Sequence, residues 1–302
     1  MGRDRAPDDA RGRACRVADA RMTAMHTGVG RHYRERSWLE RLTDSMRLTR
    51  APGWVRVPLK RAYESALRAL PGDHLTCRLP GGETFLVDPA HRHLAWNADE
   101  YDALKACSHR GATVLDVGAN VGAYTLLFAK WVATGGRVYA FEPAAASRAG
   151  LARHLAINGL ADRVTIRREA VSNTSGTRRF VELGTDGGNR IARPSDADTV
   201  EVPAVSIDEF CSASRVIPDV IKIDVEGAEL DALRGARQTI ALCGSSLALF
   251  VELHPSVWPA IGISRADIEA ELGAQRLAIE PLDGAGDPWS IEGISVRVRN
   301  IS

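Results

Sequence analysis

Residues Val114–Thr125, VLDVGANVGAYT, decide the fold. An apolar run stops at Asp116-Val117, turns through Gly118 and Gly122, and continues into a second apolar stretch at helical spacing. That is the pattern of a β-strand feeding a helix through a tight loop of the kind that approaches a bound cofactor closely. Twenty residues past Gly122, RVYAFEP supplies a second strand with Glu142 just beyond its carboxyl end. In an open parallel sheet both strand ends face one crevice, so the pair reads as a nucleoside site.

Outward from this pair, strands and helices alternate after Gly111, the signature of an α/β, Rossmann-like doubly wound and mostly parallel sheet. The predicted order is strand Thr113–Val117, helix Val121–Val132, strand Arg137–Phe141, helix Ala144–Asn158 and strand Val164–Val171. Two strand-like runs, RRFVEL and TVEVPAV, follow and bracket a long polar loop, GTDGGNRIARPSDAD, that reads as a mobile substrate loop. Ser206 with Glu209 has capping-box spacing. Strand Val220–Val225, helix Glu229–Ile240, strand Ser246–Leu253, a helix opened by Ser264 and Asp267, and strands Leu277–Glu280 and Ile294–Arg299 complete the pattern.

Three regions are expected: a disordered Arg-rich arm over 1–30, a helical extension with a β-hairpin over 31–110, and the alternating domain over 111–302. The extension's stripes are Trp38, Leu39, Leu42 and Met46, then Leu59, Tyr63, Ala66, Leu67 and Leu70, which read as packing helices or as a lid or homo-oligomer contact. A hairpin is predicted around Pro80-Gly81-Gly82 and a helix over Asp99–Cys107.

Composition excludes several classes. Lysine and arginine total 39 against 38 acidic residues, so no global positive field exists to hold nucleic acid. Residues 1–50 carry twelve arginines and seven acids, but with only four lysines in the whole chain this arginine usage reads as compositional bias. Five cysteines without a C-x-x-C pair fit neither a disulfide framework nor a zinc site and read as reduced. With no apolar run of signal or membrane-spanning length, a cytoplasmic protein is expected.

Each site residue has a chemical reason. Gly118 and Gly122 let a ligand near the backbone, and Asn120 tolerates unusual dihedrals. Asp116 can accept from an ammonium group and Glu142 from a ribose diol, which matches S-adenosyl-L-methionine. A nicotinamide dinucleotide would want G-x-G-x-x-G, whereas this run has Asn120 at its second glycine position. In IKIDVEG, a period of two sets Lys222, Asp224 and Glu226 on one side, with Asp224 at the crevice and an ion pair to Lys222 accounting for part of the charge. Glu252 and His254 alternate in the same way on the next strand, and His254 is the expected general base.

VLDVGANVGAYT, VYAFEP, IKIDVEGAEL and VELHP, in this order over about residues 100–255, together resemble the FkbM-type family of S-adenosylmethionine-dependent methyltransferases. The resemblance implies a class I methyltransferase fold and O-methylation of a hydroxyl on a sugar, glycan or polyketide-type secondary metabolite. The alternatives are an N-methyltransferase, an NAD(P)-binding oxidoreductase and a non-catalytic nucleoside-binding module. By resemblance, Asp116, Gly118, Asn120, Gly122 and Glu142 hold the cofactor, and Glu169-Ala170-Val171 lies where adenine is contacted. Arg190 stands in GGNR where the family reads serine. Asp224 serves the site with Glu226 and His254; these three plus Glu252 could also hold a divalent metal such as Mg2+, in the manner of catechol O-methyltransferases. Trp96, Tyr101 and Trp258 could stack on a sugar face or simply pack.

Overall fold

The computed structural model describes residues 32–33, 74–92, 94, 96–185, 188–282, 287–290 and 293–300. The predicted amino-terminal arm and the two helical stripes before residue 70 lie outside the described residues, apart from His32–Tyr33, which pairs antiparallel with Trp96–Asn97.

The hairpin forms as predicted, from β1 (Leu75–Arg78) and β2 (Thr84–Val87), and helix α1 (Ala98–Cys107) follows. Then come β3 (Thr113–Val117), α2 (Ala123–Val132), β4 (Arg137–Phe141), α3 (Ala145–Ile157) and β5 (Val164–Arg167). The next strands are β6 (Ala170–Val171), β7 (Gly176–Val181), β8 (Arg190–Ile191) and β9 (Val200–Val205). The chain continues through α4 (Ile207–Ser214), β10 (Val220–Ile223), α5 (Glu229–Arg234), α6 (Arg237–Cys243) and β11 (Ala248–Leu253), and closes with α7 (Arg265–Ala274), β12 (Leu277–Pro281) and β13 (Ile294–Asn300).

The main sheet has seven strands in the order β12-β13-β11-β10-β3-β4-β5. The five from β11 to β5 are mutually parallel, and β13 adds antiparallel to β11 and to β12. Helices cover both faces, so the central strands read as continuous apolar runs: all four residues of β10, Val220–Ile223, are buried. The order in which successive strands are laid down reverses between β3 and β10, the switch point where open α/β sheets place ligands. A smaller sheet, β8-β7-β9-β6, stands at the same end.

Among the differences from the sequence expectation, four change an element's start, its continuity or its partner. The first helix starts at Ala123 rather than Val121, because Gly118, Asn120 and Gly122 all take positive φ (86°, 47° and 98°) and cannot be helical. The strand predicted over Val164–Val171 breaks after Arg167, and Ala170–Val171 leaves to pair with β9 in the small sheet. The polar loop carries a short strand, β8, that pairs with β7. The helix predicted over Glu229–Ile240 is two, because the Asp208 carboxylate accepts from Gln238 N (3.0 Å) and Thr239 N (2.7 Å) and caps a new helix there.

Trp96, Tyr101 and Trp258 are at most 2% exposed, so of the two readings, sugar stacking and packing, they take the second. Trp96 and Tyr101 join hairpin and α1 to the apolar cluster under α2 and β3. Cys77, Cys107, Cys211 and Cys243 are free thiols; Cys15 lies outside the described residues. Among the described residues no helix is long and apolar enough to cross a membrane.

Candidate functional site

A cleft of about 650 Å³, counting the part open to solvent, sits at the carboxyl ends of β3, β4 and β10. One wall comes from the first loop and the end of β4, with Gly118, Asn120, Phe141 and Glu142. The small sheet supplies Glu169, Ala170, Val171, Phe180 and Ile191, and the turn after β10 supplies Asp224, Val225 and Glu226. Of the residues predicted to bind cofactor, Gly118, Asn120, Glu142, Glu169, Ala170 and Asp224 therefore line one space.

Asp116 and Gly122 do not line it. The Asp116 carboxylate is buried beneath the loop, accepts a hydrogen bond from the Thr125 hydroxyl at 2.5 Å, and lies opposite Lys222 in the β3–β10 register. Burial pushes its pKa up to about 6 against the pull of Lys222 and Thr125. The predicted ammonium partner thus lies beneath the first loop and outside the cleft lining. A Cβ on Gly122 would come within 2.5 Å of Leu151 Cδ1, so this glycine lets α2 pack on α3. At Gly118 a Cβ would lie 1.7 Å from the Asp224 carbonyl oxygen; here the close backbone approach is between the two loops of the site.

Glu142 sits at the crest of the first wall. Its Oε2 accepts from Asn120 N (2.8 Å) and its Oε1 from Ala144 N (2.7 Å), which fixes the carboxylate while each oxygen keeps a further acceptor position. Burial outweighs these bonds and lifts its pKa to about 7. The Asn120 side chain accepts from Ser147 Oγ (2.9 Å), which also accepts from Asn189 Nδ2 (3.3 Å). Asn189 in turn donates to Gly184 O (2.7 Å) and accepts from Leu183 N (2.7 Å), tying the polar loop to the first loop. Arg190 lines the cleft but is held bidentate by Asp196, at 2.5 and 2.9 Å.

The opposite wall is a cluster of charges. Lys222 Nζ lies 3.0 Å from Asp224 Oδ2 and 3.6 Å from Glu252 Oε2, and 4.4 Å from the centre of the Tyr124 ring. Burial alone would discharge Lys222, but Asp224, Glu100, Glu252 and Asp116 hold its pKa above the usual lysine value. The predicted ion pair is therefore present. Burial raises Asp224, yet Lys222 and His254 carry it below the usual carboxylate range; Glu252, buried beside the Asp224 charge, is raised well above its own. Glu226, beyond the strand in a turn with φ 41°, is raised by burial.

His254 is 5% exposed and stands behind the cleft, with Nδ1 2.6 Å from Glu229 Oε1. Nε2 faces Glu226 (3.8 Å), Glu252 (3.8 Å) and Asp224 (4.0 Å). Burial opposes its charge, but Glu229, Asp224 and Glu226 carry its pKa up to about 9. With this acid cluster around it and no ion bound, the ring favours its charged form, and it stands behind the cleft lining rather than in it. Asp224, Glu252 and His254 are also the described His, Cys, Asp and Glu side chains whose ligand atoms lie within 4.8 Å of one another and could hold a metal.

Sequence reasoning missed Glu229, Ser147 and Asn189. The available signal for Glu229 was a further acid in the IKIDVEGAEL string, three residues after Glu226. Ser147 carried none, since its partner is far away in sequence.

Comparison with known proteins adds the following. The methyltransferase FkbM domain family matches residues 116–276, more than half of the chain. Hexuronic acid methyltransferase AglP of Haloferax volcanii is 30% identical over 165 residues, 53% of this chain and 63% of that protein, so the chain spans less than two thirds of this curated relative. Among solved structures, methyltransferase FkbM from Methylobacillus flagellatus is 20% identical, with 62% of this chain and 43% of that one covered and a TM-score of 0.40. An S-adenosylmethionine-dependent O-methyltransferase from Thermotoga maritima is 12% identical over 79% of this chain and 96% of its own, with a TM-score of 0.38.

Proposed function

Because the chain belongs to the methyltransferase FkbM domain family, we propose that it is an S-adenosyl-L-methionine-dependent O-methyltransferase whose acceptor is a hydroxyl of a sugar, glycan or polyketide-type metabolite. The observation that carries the reading is the facing of two walls across one cleft: the fixed Glu142 carboxylate with the Gly118–Asn120 backbone on one side, Asp224 and Glu226 on the other. The donor set suits the cofactor. Glu142 keeps acceptor positions for a ribose diol, while Ala170, Val171, Phe180 and Ile191 offer an apolar slot for a purine, with Glu169 at its edge.

The cofactor supplies a methyl already activated by a sulfonium, so the protein's task is to align an acceptor oxygen and take its proton. Asp224 and Glu226 are the carboxylates that meet such an oxygen in the cleft. Asp224 stays ionised beside Lys222 and favours positive charge nearby. Glu226, whose burial makes it the more basic of the two, accepts the proton. His254 stands behind both acids, its Nε2 4.0 Å from Asp224 and 3.8 Å from Glu226. Asp116 holds the first loop from below. The AglP relative, a hexuronic acid methyltransferase by name, supports a sugar-type acceptor.

The test is incubation of the purified chain with methyl donor and a panel of glycans, free sugars and hydroxylated polyketides, read by mass spectrometry. A gain of one methyl that is lost in Glu226→Gln, with affinity for S-adenosylhomocysteine unchanged, supports the reading. Tight binding of NAD and none of S-adenosylhomocysteine would replace it with the oxidoreductase.

A further inference from the structure

We propose that Asp224, Glu252 and His254 form a site for one divalent metal ion, with Glu229 orienting the histidine. The imidazole is set for this. Glu229 is fully buried and is itself fixed, accepting from Gly227 N at 3.0 Å and from Trp258 Nε1 at 2.9 Å. Its Oε1 meets His254 Nδ1 at 2.6 Å. That bond turns Nε2 of a 95%-buried ring into the cluster, the arrangement by which a carboxylate orients a metal-ligating histidine.

Nε2 then meets no carboxylate at hydrogen-bond distance. The approaches to Glu252, Glu226 and Asp224 are 3.8, 3.8 and 4.0 Å. Atoms that each bind a common ion at about 2.0–2.2 Å lie roughly 3–4.4 Å apart, so these gaps are the size one ion fills. The lysine does not take the same oxygens. Lys222 uses Asp224 Oδ2 and Glu252 Oε2, whereas Asp224 Oδ1 and Glu252 Oε1 are the atoms turned toward the ring.

Charge points the same way. Asp224, Glu226, Glu229 and Glu252 crowd around Lys222 and one histidine, and a divalent ion balances the excess acid that burial makes costly. Asp224 and Glu226 also line the cleft, so the ion would keep a face open to an acceptor oxygen, as ions in catalytic sites do. Its role there, which rests on the methyl-transfer reading, would be to favour the deprotonated acceptor hydroxyl. The ion's binding does not rest on that reading.

The experiment is a titration of the chelator-stripped full chain with Mn2+, followed by the electron paramagnetic resonance of the free ion. One Mn2+ per chain is expected, with Glu229→Gln weakening it about 10- to 100-fold and Glu252→Gln and His254→Gln at least as much. In parallel, Mn2+ should raise the thermal unfolding midpoint of the wild type while K+ at equal ionic strength does not; this arm holds even if a variant fails to fold. Absence of Mn2+ binding by the wild type, or binding by the folded variants as tight as its own, overturns the site. S-adenosylhomocysteine is titrated separately into the stripped protein. Cofactor binding without Mn2+ binding removes the metal site alone, whereas Mn2+ binding without cofactor binding keeps it and removes the methyl-transfer reading.

Discussion

At Glu142 a carboxylate is pinned by two backbone amides and still burdened by burial, so its charge is available only above about pH 7. A ribose diol donates to the ionised form, so affinity for S-adenosylhomocysteine should rise as pH passes from 6 to 8 and should be flat in Glu142→Gln. Calorimetric titration checks this, and the neutral variant should bind roughly 10- to 100-fold more weakly at pH 8, the worth of hydrogen bonds to a charged group. Gly118 makes a different demand. Gly118→Ala would drive a methyl into the Asp224 carbonyl and impose a left-handed φ on a side chain, so both folding stability, read by denaturant unfolding, and turnover should fall. The sequence announced Gly118 and Glu142 because turn geometry and a polar residue at a strand end leave a mark in residue type. It could not announce that Asp116 lies under the loop rather than in the cleft, since one residue's alternation along a strand does not say what covers it.

Elements hold one another through side chains that imitate backbone. Asn158, at the end of α3, accepts from Leu86 N (2.8 Å) and donates to Leu86 O (2.7 Å), so its amide docks β2 as a neighbouring strand would. Asn158→Ala strands both Leu86 groups and should lower stability by about 1–3 kcal/mol, measured in urea, with cofactor affinity unchanged. The cross-strand pair Asp116–Lys222 and the Lys222–Asp224 bond make a stronger prediction. Lys222→Met should cost about 3–5 kcal/mol of unfolding free energy, because it leaves Asp224 and Glu252 buried without their cation. Strand and helix order was legible after Gly111, since the period changes with each element. The split between α5 and α6 was not, because it depends on Asp208, nearly thirty residues earlier, reaching across to cap the second helix.

Over the whole molecule, stability and function oppose each other at the cleft. A carboxyl whose pKa is higher folded than unfolded holds its proton more tightly in the native state. Its contribution is present below the unfolded value and is lost as pH rises through the folded one. For Glu142, raised from 4.5 to about 7, roughly 3 kcal/mol should disappear between about pH 4.5 and pH 7, and Asp116 adds a smaller loss between 3.8 and about 6. Urea unfolding at pH 5 and pH 7.5 should show a shallower pH slope in Glu142→Gln than in the wild type. The architecture was readable because alternating strands and helices admit few topologies, and four short motifs in order resembled one family. The acceptor was not readable, because the loop with Asn189 and Arg190 is set in place by the short strand β8 and by a side-chain bond to distant Ser147, which residue type alone does not show. The central claim is that a sulfonium nucleoside spans the cleft between Glu142 and Asp224. A crystal structure with S-adenosylhomocysteine should place the ribose hydroxyls on the Glu142 carboxylate and the sulfur beside Asp224 and Glu226; a ligand bound elsewhere, with that cleft empty, would contradict it.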